Sequence, residues 1–276
     1  MKENLSRDAI NQFNFLNIPR RHIYHKLLRK IIILIRSIRC KFYRKNLNYE
    51  NFNNEKLLNI FNLTTLENVY SEFQKNNYVY GEDLIRDSYL VRLLSDWPPI
   101  YFFKPHSSIY KSYDTCFYVS NSKWKKDSKF SLKKRKNFYL LNNFYKVVSS
   151  KEFADSITKL CNDGIERFCY SFLVTEASEG SGLIQHKDGV ADIDFGESFL
   201  NLIIFLDGND PPIESGGTSI YYSESTDSLL SSPKTLKNSF LIYKSSANFF
   251  HGFPPIKKGK RRKALLVQFA DKRAFN

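Results

Sequence analysis

The feature that most constrains the fold is a series of short apolar runs in the second half of the chain. Runs rich in β-branched and aromatic residues cover 167–175, 199–206, 218–222, 239–243 and 264–270. Turn-forming sequences separate them, namely EGSG, DGNDPP, ESGG and GFPPIKKGK. Short strands joined by such turns are typical of an antiparallel sandwich or barrel rather than a parallel α/β sheet.

The first half of the chain has a different pattern. Helical spacing of apolar residues predicts helices over 23–42, 55–75, 86–95 and 151–162. The aromatic segments 100–103 and 116–119 predict strands. We therefore predict an α+β protein with a basic, mainly helical N-terminal region over 1–145 and a β-rich domain over 146–276.

Positive charge dominates the chain and is clustered. The formal net charge is +14, and residues 1–60 carry 13 Lys and Arg against 4 Asp and Glu. Two further basic clusters lie at 123–136 and 257–263. This balance favours an anionic partner or substrate, although each cluster could equally serve solubility alone.

The predicted helix over 23–42 is basic and amphipathic. Leu28, Ile31, Ile35 and Ile38 recur at helical spacing, with arginines on the other side. Such a helix either packs on its own domain, which is the commoner case, or lies at a membrane surface or against a partner. A peripheral membrane contact through residues 23–42 therefore stays open beside the simpler interpretation.

Cysteine usage and the first residues suggest a location. Cys40, Cys116, Cys161 and Cys169 form neither a CxxC pair nor a zinc-binding spacing, so we expect a reducing cytoplasm. The polar start MKENLSRDAI has no secretory character, and the longest aliphatic run, 31–35, is too short to span a bilayer.

Three polar positions of the β-rich half suggest a metal site. His186 and Asp188 are two residues apart, so on a strand both side chains would point to the same face. His251 lies 65 residues after His186, which leaves room for strands that fold back beside the first pair. Two imidazoles and one carboxylate leave one side of a metal open, and this ligand set suits Fe(II) better than structural zinc.

A basic residue at the start of the last apolar run suggests an anion site. In the run 261–269, Arg262 shares a strand face with Ala264 and Leu266, and would therefore point inward. A buried guanidinium needs an anionic partner, and a carboxylate fits it in a bidentate pair. Arg261 and Lys263 are the alternatives if the register is shifted by one residue.

Taken together, these motifs resemble the 2-oxoglutarate/Fe(II) dioxygenase superfamily, and most nearly its prolyl-4-hydroxylase-like branch. The resemblance covers about residues 165–271. Its elements, in chain order, are HxD at His186 and Asp188, the run 202–207 ending in LD, GGT at 216–218, FLIY at 240–243, His251 and Arg262.

The resemblance implies a double-stranded β-helix, or jelly-roll, with Fe(II) held by His186, Asp188 and His251. Arg262 would bind 2-oxoglutarate, and O₂ would be consumed as a substrate C–H bond is hydroxylated with release of succinate and CO₂. Two positions depart from the branch, because Phe205 and Leu183 stand where tyrosines are frequent. Further contacts to 2-oxoglutarate are therefore not assigned.

Two other classes of protein remain as alternatives. One is a non-catalytic jelly-roll that binds a metal or ligand, and the other is a basic nucleic-acid-binding protein. A nucleic-acid partner is not expected, because the sequence has no helix-turn-helix, zinc-finger or RNP signature. The prime substrate stays unidentified, and the basic surface favours an anionic one.

Overall fold

The structure is a computed structural model, and it describes residues 57–107, 111–120, 138–187, 199–245 and 249–275. It also describes six helical positions near the N-terminus, residues 30, 31, 34, 35, 38 and 39. In these parts of the chain, no helix is both long enough and apolar enough to cross a membrane. The basic cluster at 123–136 lies outside the described residues.

Between residues 57 and 161, the described part of the chain contains six α-helices. They are α1 (Leu57–Ile60), α2 (Thr64–Asn68), α3 (Tyr70–Asn76), α4 (Asp87–Ser95), α5 (Tyr139–Val148) and α6 (Lys151–Cys161). The side chain of Ser150 caps α6 by accepting a hydrogen bond from the backbone N–H of Phe153, 3.3 Å away. The predictions for 55–75, 86–95 and 151–162 are therefore confirmed.

In the described residues, eleven strands form the sheet structure. They are β1 (Tyr78–Glu82), β2 (Lys104–Ser107), β3 (Lys111–Ser120), β4 (Arg167–Ser178), β5 (Gly182–His186), β6 (Leu200–Gly208), β7 (Ser219–Tyr221), β8 (Leu229–Ser231), β9 (Ser239–Lys244), β10 (Phe250–Phe253) and β11 (Arg261–Asp271). All five runs that predicted strands in the second half fall on strands. The short strands β1, β2, β5, β8 and β10 were not predicted.

The strands pair in an antiparallel, jelly-roll-like order. One series runs β1-β9-β6-β11-β4-β3, and a second runs β5-β10-β7-β8. Strand β3 joins the two series, because Asp114–Ser120 pairs with β4 while Lys111 and Ser112 pair with β5. The α+β class and the antiparallel architecture agree with the prediction.

The first series of strands buries both of its faces. Alternate residues Leu202, Ile204 and Val267 pack with helix residues in one large core. The intervening residues, among them Ile203 and Phe205, face a second apolar cluster that includes Ile220 of β7. Alternate residues of a strand point to opposite faces. Because both faces of β6 are buried, its sequence is one continuous apolar run. The second cluster lines the space between the two series of strands.

Residues before position 145 are part of the same sheet and the same core. Strand β1 pairs with β9, and β3 pairs with β4 and β5. The large core contains Phe61 and Phe73 together with Phe269. The described N-terminal part is thus not purely helical, and the division into domains at 145/146 stays a prediction.

The predicted strand at 100–103 is wrong. Residues Ile100–Phe102 form a 3-10 turn, in which the N–H of Phe102 donates to the carbonyl of Pro99 over 2.8 Å. The two prolines before it favour a turn, and the aromatic rings serve the core instead. The ring of Phe102 packs edge-on against Phe138 with centroids 4.8 Å apart.

A partly buried ion pair fastens the loop after α6 to the sheet. Asp163, in the loop after α6, accepts a hydrogen bond from Arg167 of β4 over 2.7 Å and lies 3.4 Å from the Nζ of Lys244. Burial disfavours the carboxylate, but the hydrogen bond and charge of Arg167 outweigh it and lower the pKa of Asp163 to about 2. Its usual value is 3.8, so the ionised group stabilises the fold above pH 4.

We therefore expect Asp163→Asn to reduce the free energy of unfolding by about 1 kcal/mol at pH 7, because solvent screens the partly exposed carboxylate. The difference from the parent protein should shrink as the pH falls from 4 towards 2, because the carboxylate then loses its charge. Urea unfolding at a series of pH values measures this. Asp155→Asn, which removes the exposed Lys151–Asp155 pair, is the matched control and should change little. Equal effects of the two substitutions would contradict the assignment.

Candidate active site

Two of the predicted ligands face each other on neighbouring strands. His186 is the last residue of β5 and His251 lies in β10, where the two are direct cross-strand partners. Their ring centroids are 4.3 Å apart. His251 was predicted to follow a strand, and the structure places it within one.

Gly252 explains how the two strands come so close. A Cβ atom at this position would lie 2.6 Å from the carbonyl oxygen of Leu183 and 2.9 Å from the backbone nitrogen of Gln185. Any side chain here would push β10 away from β5. The glycine therefore allows the approach on which the pairing of the two imidazoles depends.

Hydrogen bonds orient both imidazole rings. Nδ1 of His186 lies 2.8 Å from the carbonyl oxygen of Ile184, and since a carbonyl can only accept, Nδ1 carries the proton. In this tautomer the lone pair sits on Nε2, as a metal ligand requires. Nε2 of the buried His251 lies 3.2 Å from the hydroxyl of Tyr243, a residue of β9 that was not predicted to belong to the site.

Asp188 lies outside the described residues, so its position relative to the two imidazoles stays a prediction. The chain is described up to Lys187, which is exposed. Within the described ranges, no group of three His, Cys, Asp or Glu side chains is placed to hold a metal ion. The ligand roles of His186, Asp188 and His251 are therefore taken up again as a proposal.

Arg262 points into the interior, as the alternation along the last strand predicted. Its side chain is 2% exposed, whereas Arg261 is exposed and Lys263 lies with its Nζ 5.6 Å from the ring of Trp97. Its guanidinium carbon lies 4.2 Å from the ring of Phe253 and 5.6 Å from that of Phe205. A cation flanked by aromatic faces and removed from water is suited to binding an anion.

The GGT segment holds this guanidinium. The Nη1 of Arg262 donates to the carbonyl oxygen of Gly216 and to the hydroxyl of Thr218, 3.1 Å away. Gly216 has a positive φ of 86°, and a Cβ there would lie 2.7 Å from Ile256. The sequence identified this segment as a tight turn, but its contact with Arg262 only follows from the fold.

Arg262 and the histidines share one interior. Phe253, which packs on the guanidinium, follows His251 by two residues on β10. On its other side, His251 pairs with Ile220 of β7, directly after the segment that binds Arg262. The arrangement thus places the two imidazoles on β5 and β10, while the buried cation of Arg262 reaches Phe253 of β10 from β11.

Comparison with known proteins supports this architecture at the level of the fold. No protein-family model matches the chain, and no curated protein matches it in sequence. A prolyl-4-hydroxylase from Pseudomonas putida has a similar structure, with a TM-score of 0.53, 10% identity and coverage of 75% of this chain and 100% of that one.

Two further solved structures are similar. One is a prolyl hydroxylase from Trichoplax adhaerens in complex with a peptide fragment of hypoxia inducible factor, with a TM-score of 0.54, 12% identity and coverage of 77% and 91%. The other is a 2OG-Fe(II) oxygenase family oxidoreductase from Burkholderia pseudomallei, with a TM-score of 0.52, 9% identity and coverage of 74% and 90%.

The chain thus has the jelly-roll-like α+β fold of the 2-oxoglutarate/Fe(II) oxygenases. Within this class it is similar to the prolyl-4-hydroxylases. The resemblance predicted from the motifs is confirmed at the level of the fold.

Proposed function

We propose that this protein is a non-haem oxygenase that depends on Fe(II) and 2-oxoglutarate and hydroxylates a C–H bond of its substrate. The observation that carries the proposal is the cross-strand pair His186–His251 in the same interior as the buried Arg262. Strands β4–β11 would then correspond to a double-stranded β-helix, with β9-β6-β11-β4 as one sheet and β5-β10-β7-β8 as the other.

The residues present fit an iron site. His186 and His251 would supply nitrogen ligands, and Asp188, two residues after His186 in the sequence, would supply the oxygen. A ligand set of nitrogen and oxygen without thiolate suits Fe(II).

When bound, the iron and 2-oxoglutarate supply the oxidising chemistry, in which O₂ is consumed and succinate and CO₂ are released. The chain itself contributes binding and orientation. Arg262 would pair with the distal carboxylate of 2-oxoglutarate, and this pairing is strong because the guanidinium is removed from water. The apolar side chains of Ile203, Leu241 and Phe205 exclude water from the interior around it.

For the prime substrate, we propose only a chemical class. The prolyl hydroxylase from Trichoplax adhaerens binds a peptide, which makes a peptidyl side chain one candidate. The basic character of this chain, with a net charge of +14, favours an anionic substrate. A cytoplasmic location, peripheral to a membrane, stays a prediction.

Anaerobic titration of the protein with Fe(II) and 2-oxoglutarate tests the proposal. We expect a visible charge-transfer band that requires both additions, followed by succinate formation when O₂ and a substrate are supplied. A band without any succinate across peptide, amino-acid, lipid and saccharide substrates would favour a non-catalytic jelly-roll. Neither band nor succinate would refute the proposed function, and salt-sensitive nucleic-acid binding in their place would favour the third class.

A further inference from the structure

The hydroxyl of Tyr80 and the guanidinium of Arg262 meet at one residue, Thr218. The Tyr80 hydroxyl donates to the backbone carbonyl of Thr218 over 2.8 Å, and Arg262 donates to the Thr218 side-chain hydroxyl over 3.1 Å. Thr218 is buried, and it lies 138 residues after Tyr80 in the sequence. The same residue is therefore held at its backbone and at its side chain.

The contact joins the two series of strands. Tyr80 belongs to β1, which pairs with β9 so that Tyr80 lies opposite Leu241. Thr218 directly precedes β7 of the other series, and the Tyr80 hydroxyl also lies 3.4 Å from the carbonyl of Ser231 in β8. Strand β1 thus closes the edge of the interior and sets the position of the residue that contacts Arg262.

The chemistry of Thr218 makes this contact relevant to an anion. Its hydroxyl oxygen accepts a hydrogen bond from Arg262, which leaves its own proton to be donated to another acceptor. A carboxylate bound by the guanidinium would be such an acceptor. Burial, followed by the influence of Tyr221 and Tyr78, raises the pKa of Tyr80 well above its usual value, so its hydroxyl stays a donor.

We propose that Tyr80 is a positioning residue for the carboxylate pocket formed by Arg262 and Thr218, an inference that rests on the proposed function. Its hydroxyl fixes the backbone of Thr218, and Thr218 in turn presents its hydroxyl beside the guanidinium. The ring of Phe205, which lacks a hydroxyl, lies on another side of the guanidinium. The N-terminal part of the chain would thereby contribute to binding the co-substrate.

The test compares Tyr80→Phe with Tyr78→Phe in anaerobic equilibrium titrations of 2-oxoglutarate. We expect the Kd to rise about 3- to 10-fold for Tyr80→Phe, the size of effect of one lost hydrogen bond, and to change little for Tyr78→Phe. Tyr78 lies on the same strand, and its ring packs against Phe249 at 5.3 Å.

A second ligand separates positioning from general stability. 2-Oxobutyrate lacks the distal carboxylate, so its Kd should be equal for the parent protein and Tyr80→Phe. Two results would overturn the inference while the parent protein still binds 2-oxoglutarate. One is an equal Kd for 2-oxoglutarate in the parent protein and Tyr80→Phe, and the other is an equal loss of affinity for 2-oxoglutarate and 2-oxobutyrate in Tyr80→Phe. If the parent protein binds no 2-oxoglutarate, the proposed function itself fails.

A separate observation concerns the N-terminal helix. Its described residues Ile31, Leu34, Ile35 and Ile38 are 44%, 61%, 47% and 47% exposed. Their spacing of 3, 4 and 7 residues places them on one stripe of about 100°. Among the described residues, these four side chains therefore form a partly exposed apolar stripe.

The charge around this stripe indicates its partner. Residues 9–49 contain ten Lys and Arg and no Asp or Glu. Lys30 and Arg39 are exposed beside the stripe. An anionic lipid surface offers both an apolar layer and negative charge, whereas a nucleic acid offers phosphates but no matching apolar face.

We infer that the stripe Ile31/Leu34/Ile35/Ile38 lies in the surface of an anionic membrane. Co-sedimentation of the full chain with vesicles tests this, using phosphatidylcholine with and without phosphatidylserine. We expect binding that requires phosphatidylserine, weakens with salt, and falls at least about 10-fold in the double variant Leu34→Gln, Ile38→Gln.

The control is Val91→Gln with Leu230→Gln, which removes two exposed apolar side chains, 67% and 50% accessible, from other elements. Binding of this control should match that of the parent protein. Equal binding to neutral vesicles, an unchanged affinity of the double variant, or binding to duplex DNA but not to vesicles would each overturn the inference.

Discussion

Replacing His251 with alanine is expected to lower the affinity of the protein for Fe(II) by at least about 100-fold. The loss of a direct ligand should exceed the 10- to 100-fold effects that follow loss of a residue that merely orients a ligand. Because His251 is the cross-strand partner of His186, with ring centroids 4.3 Å apart, His186→Ala should have the same effect. Anaerobic calorimetric titration with Fe(II) measures both.

His106→Ala is the matched control for this pair of variants. His106 lies in β2, which pairs with β3, and no metal role is proposed for it. Circular dichroism and thermal unfolding show whether each variant retains the fold, since His251 is buried. An unchanged Fe(II) affinity in a folded His251→Ala or His186→Ala protein would refute the ligand assignment. Asp188→Asn in the same assay tests the third ligand.

The second large effect is expected at Arg262. Substitution by leucine should raise the Kd for 2-oxoglutarate about 100-fold or more, because it removes the cation of a buried charge pair. Lysine keeps the charge but lacks the planar fork of the guanidinium, so Arg262→Lys should still lose about 10-fold. Titration with 2-oxoglutarate in the presence of Fe(II) measures both variants.

The neighbouring Arg261 provides the control for Arg262. It is adjacent in the sequence but exposed, so Arg261→Leu should leave the Kd near that of the parent protein. Fe(II) affinity in the absence of 2-oxoglutarate should be retained by every one of these variants. If Arg261→Leu loses 2-oxoglutarate binding and Arg262→Leu does not, the register of the last strand has been assigned to the wrong residue.

Much of the β architecture could be predicted from the sequence, because local patterns determined it. The long apolar runs 199–206 and 264–270 correspond to strands β6 and β11. Side chains alternate between the two faces of a strand, and this alternation correctly predicted that Arg262 is buried and Arg261 exposed. Helix α6 follows equally from the spacing of Phe153, Ile157 and Leu160. In these elements, local preference and tertiary packing favour the same conformation.

Short strands were missed because their conformation depends on neighbours in the sheet. Strand β10 has four residues and β8 has three, which is too few for a periodic pattern. Strand β1 contains Gly81, and its pairing with β9 crosses more than 150 residues of sequence. The segment 100–103 shows the opposite error, because a strand was predicted there and none formed. Its aromatic residues belong to a 3-10 turn, and they pack in the core from that turn.

The sequence by itself predicted the residues that we propose carry the chemistry: two histidines and an aspartate suited to a metal, and an arginine inside an apolar strand. The tertiary structure alone decided what surrounds them. It paired His186 with His251, placed Tyr243 beside His251, and linked Tyr80 to Arg262 through Thr218. Chemical identity is a property of single residues, whereas these contacts join residues that only the pairing of distant strands brings together.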